Sequence, residues 1–114
     1  MIILHLKKKW FDLIKSGEKK EEYRNITDYY LKRLAPGYTV LYGPPGFVFF
    51  NKDTHQMTKI LAIENIKLVL GYPKKDNKDK EIIIKKALLS IGMGKEEWGA
   101  APGCYYLTLR NFEV

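Results

Sequence analysis

Cysteine is almost missing: Cys104 is the one thiol in 114 residues. A lone cysteine cannot close an internal disulfide, which excludes a stapled secreted scaffold and makes a reducing interior the expected home. Histidine is nearly as scarce. His5 and His55 lack the paired spacing of a zinc site, Cys104 adds only one more potential ligand, and neither a metal nor another cofactor is expected. Long apolar runs are also lacking. Ile2, Ile3 and Leu4 give way at once to His5 and to Lys7 through Lys9, far too short a stretch for a signal segment or a membrane span. The expectation is a soluble, cytoplasmic protein with no membrane partner. No phosphate loop is present either: "GPPG" (43–46) lacks the Lys-Ser/Thr ending and its prolines remove backbone donors, and "GMGKEE" (92–97) precedes no convincing helix. No Ser-His-Asp signature is visible, and Cys104 reads as a small core residue rather than a nucleophile.

Acidic residues are outnumbered. Twenty Lys and Arg stand against 13 Asp and Glu, a formal charge of +7 with a sequence pI near 9.4, so polyanions, nucleic acid foremost, are attracted without specific design. The lysines cluster at Lys7 to Lys9 and Lys74 to Lys80, where a solubilising role would explain them equally. With 46% hydrophobic and 13% aromatic residues, the chain fits one compact domain spanning 1–114.

The periodicity is mixed. "IILHL" (2–6) fits a largely buried strand, and Trp10, Leu13 and Ile14 then fall at helical spacing before Gly17, a glycine placed to end a helix. In "NITDYYLKRLAPG", Thr27 can cap a second helix whose Tyr30, Leu31 and Leu34 share a face and which Pro36-Gly37 stops. "YTVLY" and "FVFF" flank the turn at 43–46, "NKDTH" (51–55) makes another turn, and "MTKILAIENIKLVL" (57–70) reads as a strand buried on both faces in which Glu64 needs a partner or an exit to solvent. The polar stretch 71–80 reads as mobile. Ile84, Leu88 and Ile91 predict a third helix ending at Gly92, and "YYLTL" (105–109) a final strand. Short turns between the middle strands argue for antiparallel neighbours, against a doubly wound parallel sheet. The expected fold is α+β, mainly β: a mixed β-barrel with about three short helices covering its openings.

One stretch is unusually charged. As a strand leaving the turn at Gly17, "GEKKEEYR" (17–24) points Lys20, Glu22 and Arg24 one way and Glu21 and Tyr23 the other. Glu22 then lies between two cations, stays ionised and can hold Arg24 so that its fork offers spare donors to a phosphate or a base edge, with Lys19 able to swing to the same side. A hydrated helical segment with Lys20 and Arg24 four apart is the alternative.

The pattern Gly17-x-Lys19-x-x-Glu22-x-Arg24, preceded by "LHLKKKWFDLIKSG", resembles the signature of the ASCH domain family, and "EEWGAAPGCYYLTL" (96–109) is similar to the ending of its small stand-alone bacterial and phage members. The middle of the chain, 43–59 and 71–81, carries no recognisable motif. The resemblance implies a PUA-like barrel and a cleft beside it, lined by Lys19, Glu22 and Arg24, that takes RNA, a nucleotide or a modified nucleoside. Lys7, Tyr23 and Trp98 join those three as candidate ligand contacts, with Tyr29 and Tyr30 as further stacking candidates. Some family members hydrolyse acylated cytidine nucleosides with a lysine base and a threonine three residues later. Lys19 matches the lysine, but Glu22 replaces the threonine, so that mechanism does not transfer intact. A different hydrolysis would have Lys19 or Glu22 as catalytic residues activating water, with Glu64, Glu96 or Glu97 as third partner. Cleavage of single-stranded RNA by Lys19 with Tyr23, and a protein-binding regulatory role supported only by the aromatic content, are the remaining alternatives. Oligomeric state is not legible.

Overall fold

Gly17 ends the first helix as its position predicts: in the computed structural model, which describes residues 1–44, 46–71 and 80–114, it adopts φ 87° and its N–H donates to the Ile14 carbonyl. The elements in chain order are β1 (Ile2–Leu6), α1 (Lys8–Ser16), β2 (Glu21–Arg24), α2 (Asp28–Leu34), β3 (Tyr38–Gly43) and β4 (Gly46–Asn51). Then come β5 (Met57–Thr58), β6 (Leu61–Leu70), β7 (Glu81–Met93), a 3₁₀ turn at Glu96–Trp98 and β8 (Tyr105–Glu113). In α1 the buried residues are Phe11 and Ile14, while Trp10 is only half-buried. Thr27 caps α2, its hydroxyl accepting from the Tyr30 N–H at 3.3 Å, and Leu31 and Leu34 turn into the core.

With 52% strand against 19% helix among the described residues, the fold is mainly β. Five strands form one mixed sheet in the order β1-β6-β7-β8-β2, and β3-β4-β5 form a separate antiparallel sheet. β1 runs parallel to β6, and the other pairs of the large sheet are antiparallel. That sheet curls into a half-barrel with β1 and β2 as its two edges, so α1, which connects them, spans from one edge to the other. Phe11 and Ile14 of α1 meet Ile66, Leu68, Ile84, Leu89, Leu107 and Leu109 of the central strands in one core.

The third expected helix is not there: 81–93 is strand β7, and the described residues hold two α-helices. The physical reason is an irregularity in β7. Its core-facing residues are Ile82, Ile84, Ala87, Leu89 and Ile91, a two-residue period broken by one step of three between Ile84 and Ala87, next to the point where an extra residue on β8 shifts the pairing between Lys86 and Leu88. The helical face expected from Ile84, Leu88 and Ile91 is imitated because the skip sets the core residues Ile84, Ala87 and Ile91 three and four apart, while Leu88 itself lies off the core face. Both neighbours change face in the same zone. On β6 the core takes Leu61 and Ile63, then Ile66 and Leu68, with Asn65 at φ 59° between them. On β8 it takes Leu107 and Leu109, then Phe112, past Asn111 at φ 55°. Three aligned irregularities bend the sheet along one line, which is how a short sheet acquires curvature.

The run 57–70 is therefore not one uniformly buried strand. Glu64 is exposed, opposite Lys86 in the register, so it takes the exit to solvent. Cys104 is exposed as well, contrary to its expected core position, because it sits in the loop before β8 rather than on an inward strand position. The expectation of mobility at 71–80 falls mostly on 72–79, outside the described residues. Among the described residues no helix is long and apolar enough to cross a membrane.

Candidate functional site

The turn at Gly17 reverses the chain so that the Lys19 N–H reaches back to the Leu13 carbonyl at 2.9 Å. This anchors Lys19 at the mouth of β2 and turns its side chain inward, where it is 1% exposed. Lys20, the expected cation on that side, points to solvent instead. The strand begins at Glu21, one residue after Lys20, so Lys20 belongs to the turn and is not bound by strand alternation.

Glu22 follows the alternation. Its side chain is 6% exposed and its two oxygens are divided between two cations: Oε1 lies 2.7 Å from Lys19 Nζ and Oε2 lies 2.7 Å from Arg24 Nη2. The same Arg24 nitrogen donates to the His5 carbonyl of β1 at 3.1 Å. Because β1 and β2 are the two edges of the large sheet, Arg24 ties across the gap that no strand pairing closes. Nη1 reaches the Tyr30 hydroxyl only at 3.5 Å, a weak contact. Nε is buried and has no hydrogen-bond partner among the described residues. A part-buried guanidinium thus keeps unspent donors, and its buried Nε is costly to leave without an acceptor.

Aromatic rings enclose the charges. Lys19 Nζ lies 4.8 Å from the Trp10 ring centroid and 5.8 Å from that of Tyr23, within cation–π range. The Arg24 guanidinium lies 5.6 Å from the Tyr30 ring. Gly99 ends the 3₁₀ turn at φ 101°. A Cβ there would stand 2.9 Å from Trp10 Cζ2, so the bare glycine is what lets the indole pack flat. Tyr23 donates its hydroxyl proton to Glu21 at 2.8 Å and accepts from the Lys95 N–H at 2.9 Å. Burial, reinforced by Glu21 and by the nearby Glu22 charge, pushes its phenol up from 10.0 to about 12.

These groups line a cleft of about 230 Å³. Lys7, Lys19, Glu22, Tyr23, Arg24 and Trp98 all border it, together with His5, Trp10 and Gly99. Tyr29 and Tyr30 border a neighbouring hollow of similar size that shares His5 and Arg24 with the first. Glu64, Glu96 and Glu97 are exposed and border neither. Two larger concavities, of about 870 and 770 Å³, open on the same sheet, the second sharing Lys19 and Trp98 with this cleft, but Lys19, Glu22 and Arg24 come together only in the small one. Trp10 is the wall residue missed in the sequence, where its spacing marks it as helix core. The half-exposed indole gains its role only through Gly99, distant in the chain.

Among the described residues no group of three or more His, Cys, Asp or Glu side chains gathers as metal ligands would. With one carboxylate between two cations, the cluster keeps a formal +1 and the exposed Lys7 stands at its rim. Net positive charge beside flat rings is chemically suited to an anion attached to an aromatic base. Comparison with protein-family models, curated proteins and solved structures returned no match in any of the three.

Proposed function

We propose that the protein is an ASCH-type domain with a PUA-like barrel, and that its Lys19–Glu22–Arg24 cleft binds the phosphate and base of a nucleotide, as part of single-stranded RNA. The single observation that carries this is the part-buried fork of Arg24 at the cleft wall: Glu22 fixes Nη2 at 2.7 Å while Nη1 has only the 3.5 Å contact to the Tyr30 hydroxyl. A phosphate oxygen or a base edge is the kind of acceptor that fits such a fork, and Trp10, Tyr23 and Trp98 offer rings beside it.

A hydrolytic role for Lys19 and Glu22 on a modified nucleoside or on RNA is supported less. Lys19 Nζ is engaged with Glu22, and the Tyr23 hydroxyl is engaged with Glu21 and Lys95. Neither is poised toward a water or a substrate hydroxyl. A protein-binding role has no observation in this cleft to favour it.

The test is titration of short oligouridylates into the wild type, Lys19→Met and Arg24→Lys, with circular dichroism verifying the fold. Lys19→Met keeps the apolar stem over Trp10 and removes the charge, and Arg24→Lys keeps the charge and removes the fork. Each is expected to weaken binding about tenfold or more. Equal affinity in all three proteins would refute the assignment. Incubation with acylated cytidines, with product analysis, is expected to give no turnover.

A further inference from the structure

The 230 Å³ cleft is not isolated. It shares Lys19 and Trp98 with the concavity of about 770 Å³, which in turn shares Glu21 and Arg110 with the one of about 870 Å³. A cation therefore stands at each junction. Among the described residues the middle concavity is bordered by five cationic side chains, Lys15, Lys19, Lys20, Lys95 and Arg110, and by one carboxylate side chain, that of Glu21, with Val114 also at its border. Its floor is apolar, from Ile82, Ile84 and Phe112.

The far concavity adds rings. Phe47 lies between Tyr42 and Tyr105 with centroids 4.7 and 4.8 Å away, and the outer two are 76% and 46% exposed. This is a large aromatic surface left open on a charged molecule. Beside it Arg110 repeats the feature seen at Arg24: its Nε is buried and has no hydrogen-bond partner among the described residues. Arg110 sits opposite Glu21 on β2 and Leu88 on β7, so two flanking strands hold it in place. A cation-lined groove leading to open rings matches an occupant that alternates negative charge with flat apolar faces. A single-stranded polynucleotide has that alternation, whereas an acidic peptide lacks the ring at every step.

Resting on the nucleotide reading of the Lys19 cleft, we infer that the Arg110 groove is a second binding site, in which a single strand leaving that cleft lays a later phosphate on Arg110 and a later base on Tyr42 and Tyr105. The ligand is thus a strand of several nucleotides, not a free nucleotide.

The experiment measures affinity for uridine monophosphate and for oligouridylates of two to eight residues, using the wild type, Tyr42→Ala and Arg110→Lys. Tyr42 is so exposed that its truncation leaves the fold intact, which keeps the test decisive even if Arg110→Lys unfolds. The wild type is expected to bind the octamer at least tenfold tighter per strand than the monophosphate, and each variant to lower that ratio on the order of tenfold. Monophosphate binding with a ratio unchanged in Tyr42→Ala would overturn the second site while leaving the Lys19 cleft standing. Binding of neither ligand would overturn both. A fall in sedimenting mass on Tyr42→Ala would show that the rings join two copies of the chain, which also overturns the proposal.

Discussion

Glu22 and Asp12 make ion pairs of nearly equal length, 2.7 and 2.6 Å, in different surroundings: the Lys19–Glu22 side chains are 1% and 6% exposed, and those of Lys8 and Asp12 are 78% and 51% exposed. Burial decides their worth. Glu22→Gln leaves two cations at the floor of a cleft with no countercharge and is expected to lower unfolding free energy by about 3 kcal/mol, whereas Asp12→Asn should change it by less than about 0.5 kcal/mol. Urea denaturation of both variants checks the contrast. Tyr23 gives a pH signature. Its phenol titrates near 12 in the fold against 10.0 ordinarily, so the fold favours the neutral form. The stability this supplies is complete below pH 10 and is lost as pH rises through about 12. Tyr23→Phe is expected to remove that alkaline step, and to cost about 1 kcal/mol at neutral pH through the lost Glu21 and Lys95 bonds. Unfolding free energy measured from pH 8 to 12.5, with phenolate absorbance, tests both statements. The residue types of the cluster were legible in "GEKKEEYR" as a charged strand. That Lys19 rather than Lys20 enters the cleft was not, because a turn residue's side chain is directed by the turn and not by strand alternation.

Strand β7 is the clearest case of an element misread from its pattern. One step of three turns a period of two into spacings of three and four, and spacing alone does not separate that from an amphipathic helix. The Ile-rich start of the segment was the available hint, since β-branched residues favour strands. The strand and the expected helix differ at adjacent leucines: Leu89 is fully buried in the core, while Leu88 is only half-buried. Leu89→Ala is expected to cost about 3 kcal/mol and Leu88→Ala under half of that, and chemical denaturation of the pair decides. The 3₁₀ turn makes its own prediction. In Gly99→Ala a methyl group enters at 2.9 Å from Trp10 on a backbone at φ 101°, so the indole must move off Lys19. A shift in tryptophan emission and a loss of about 1 to 3 kcal/mol are expected. By contrast α1, α2 and the β3–β4 hairpin were readable, because Gly17, Thr27 and the turn at 43–46 act through their immediate neighbours.

Across the whole molecule the charge of +7 acts through where it is placed. If a bound strand neutralises about three cations, the slope of log affinity against log salt is roughly −2, and affinity should fall between roughly tenfold and twentyfold from 50 to 200 mM salt. A salt-independent affinity would show that the cations merely solubilise the surface. Composition and short-range patterning by themselves determined that this is a basic, mainly β chain carrying a charged segment behind a helix-ending glycine, since such signals depend on side-chain chemistry and on residues within a turn of one another. Only the tertiary structure decided that Arg24 spans the two sheet edges, that Trp10 meets Gly99, and that Arg110 stands between two grooves. Those relations join residues far apart in sequence, and they depend on a sheet curvature set by three aligned irregularities that no single stretch of the chain encodes.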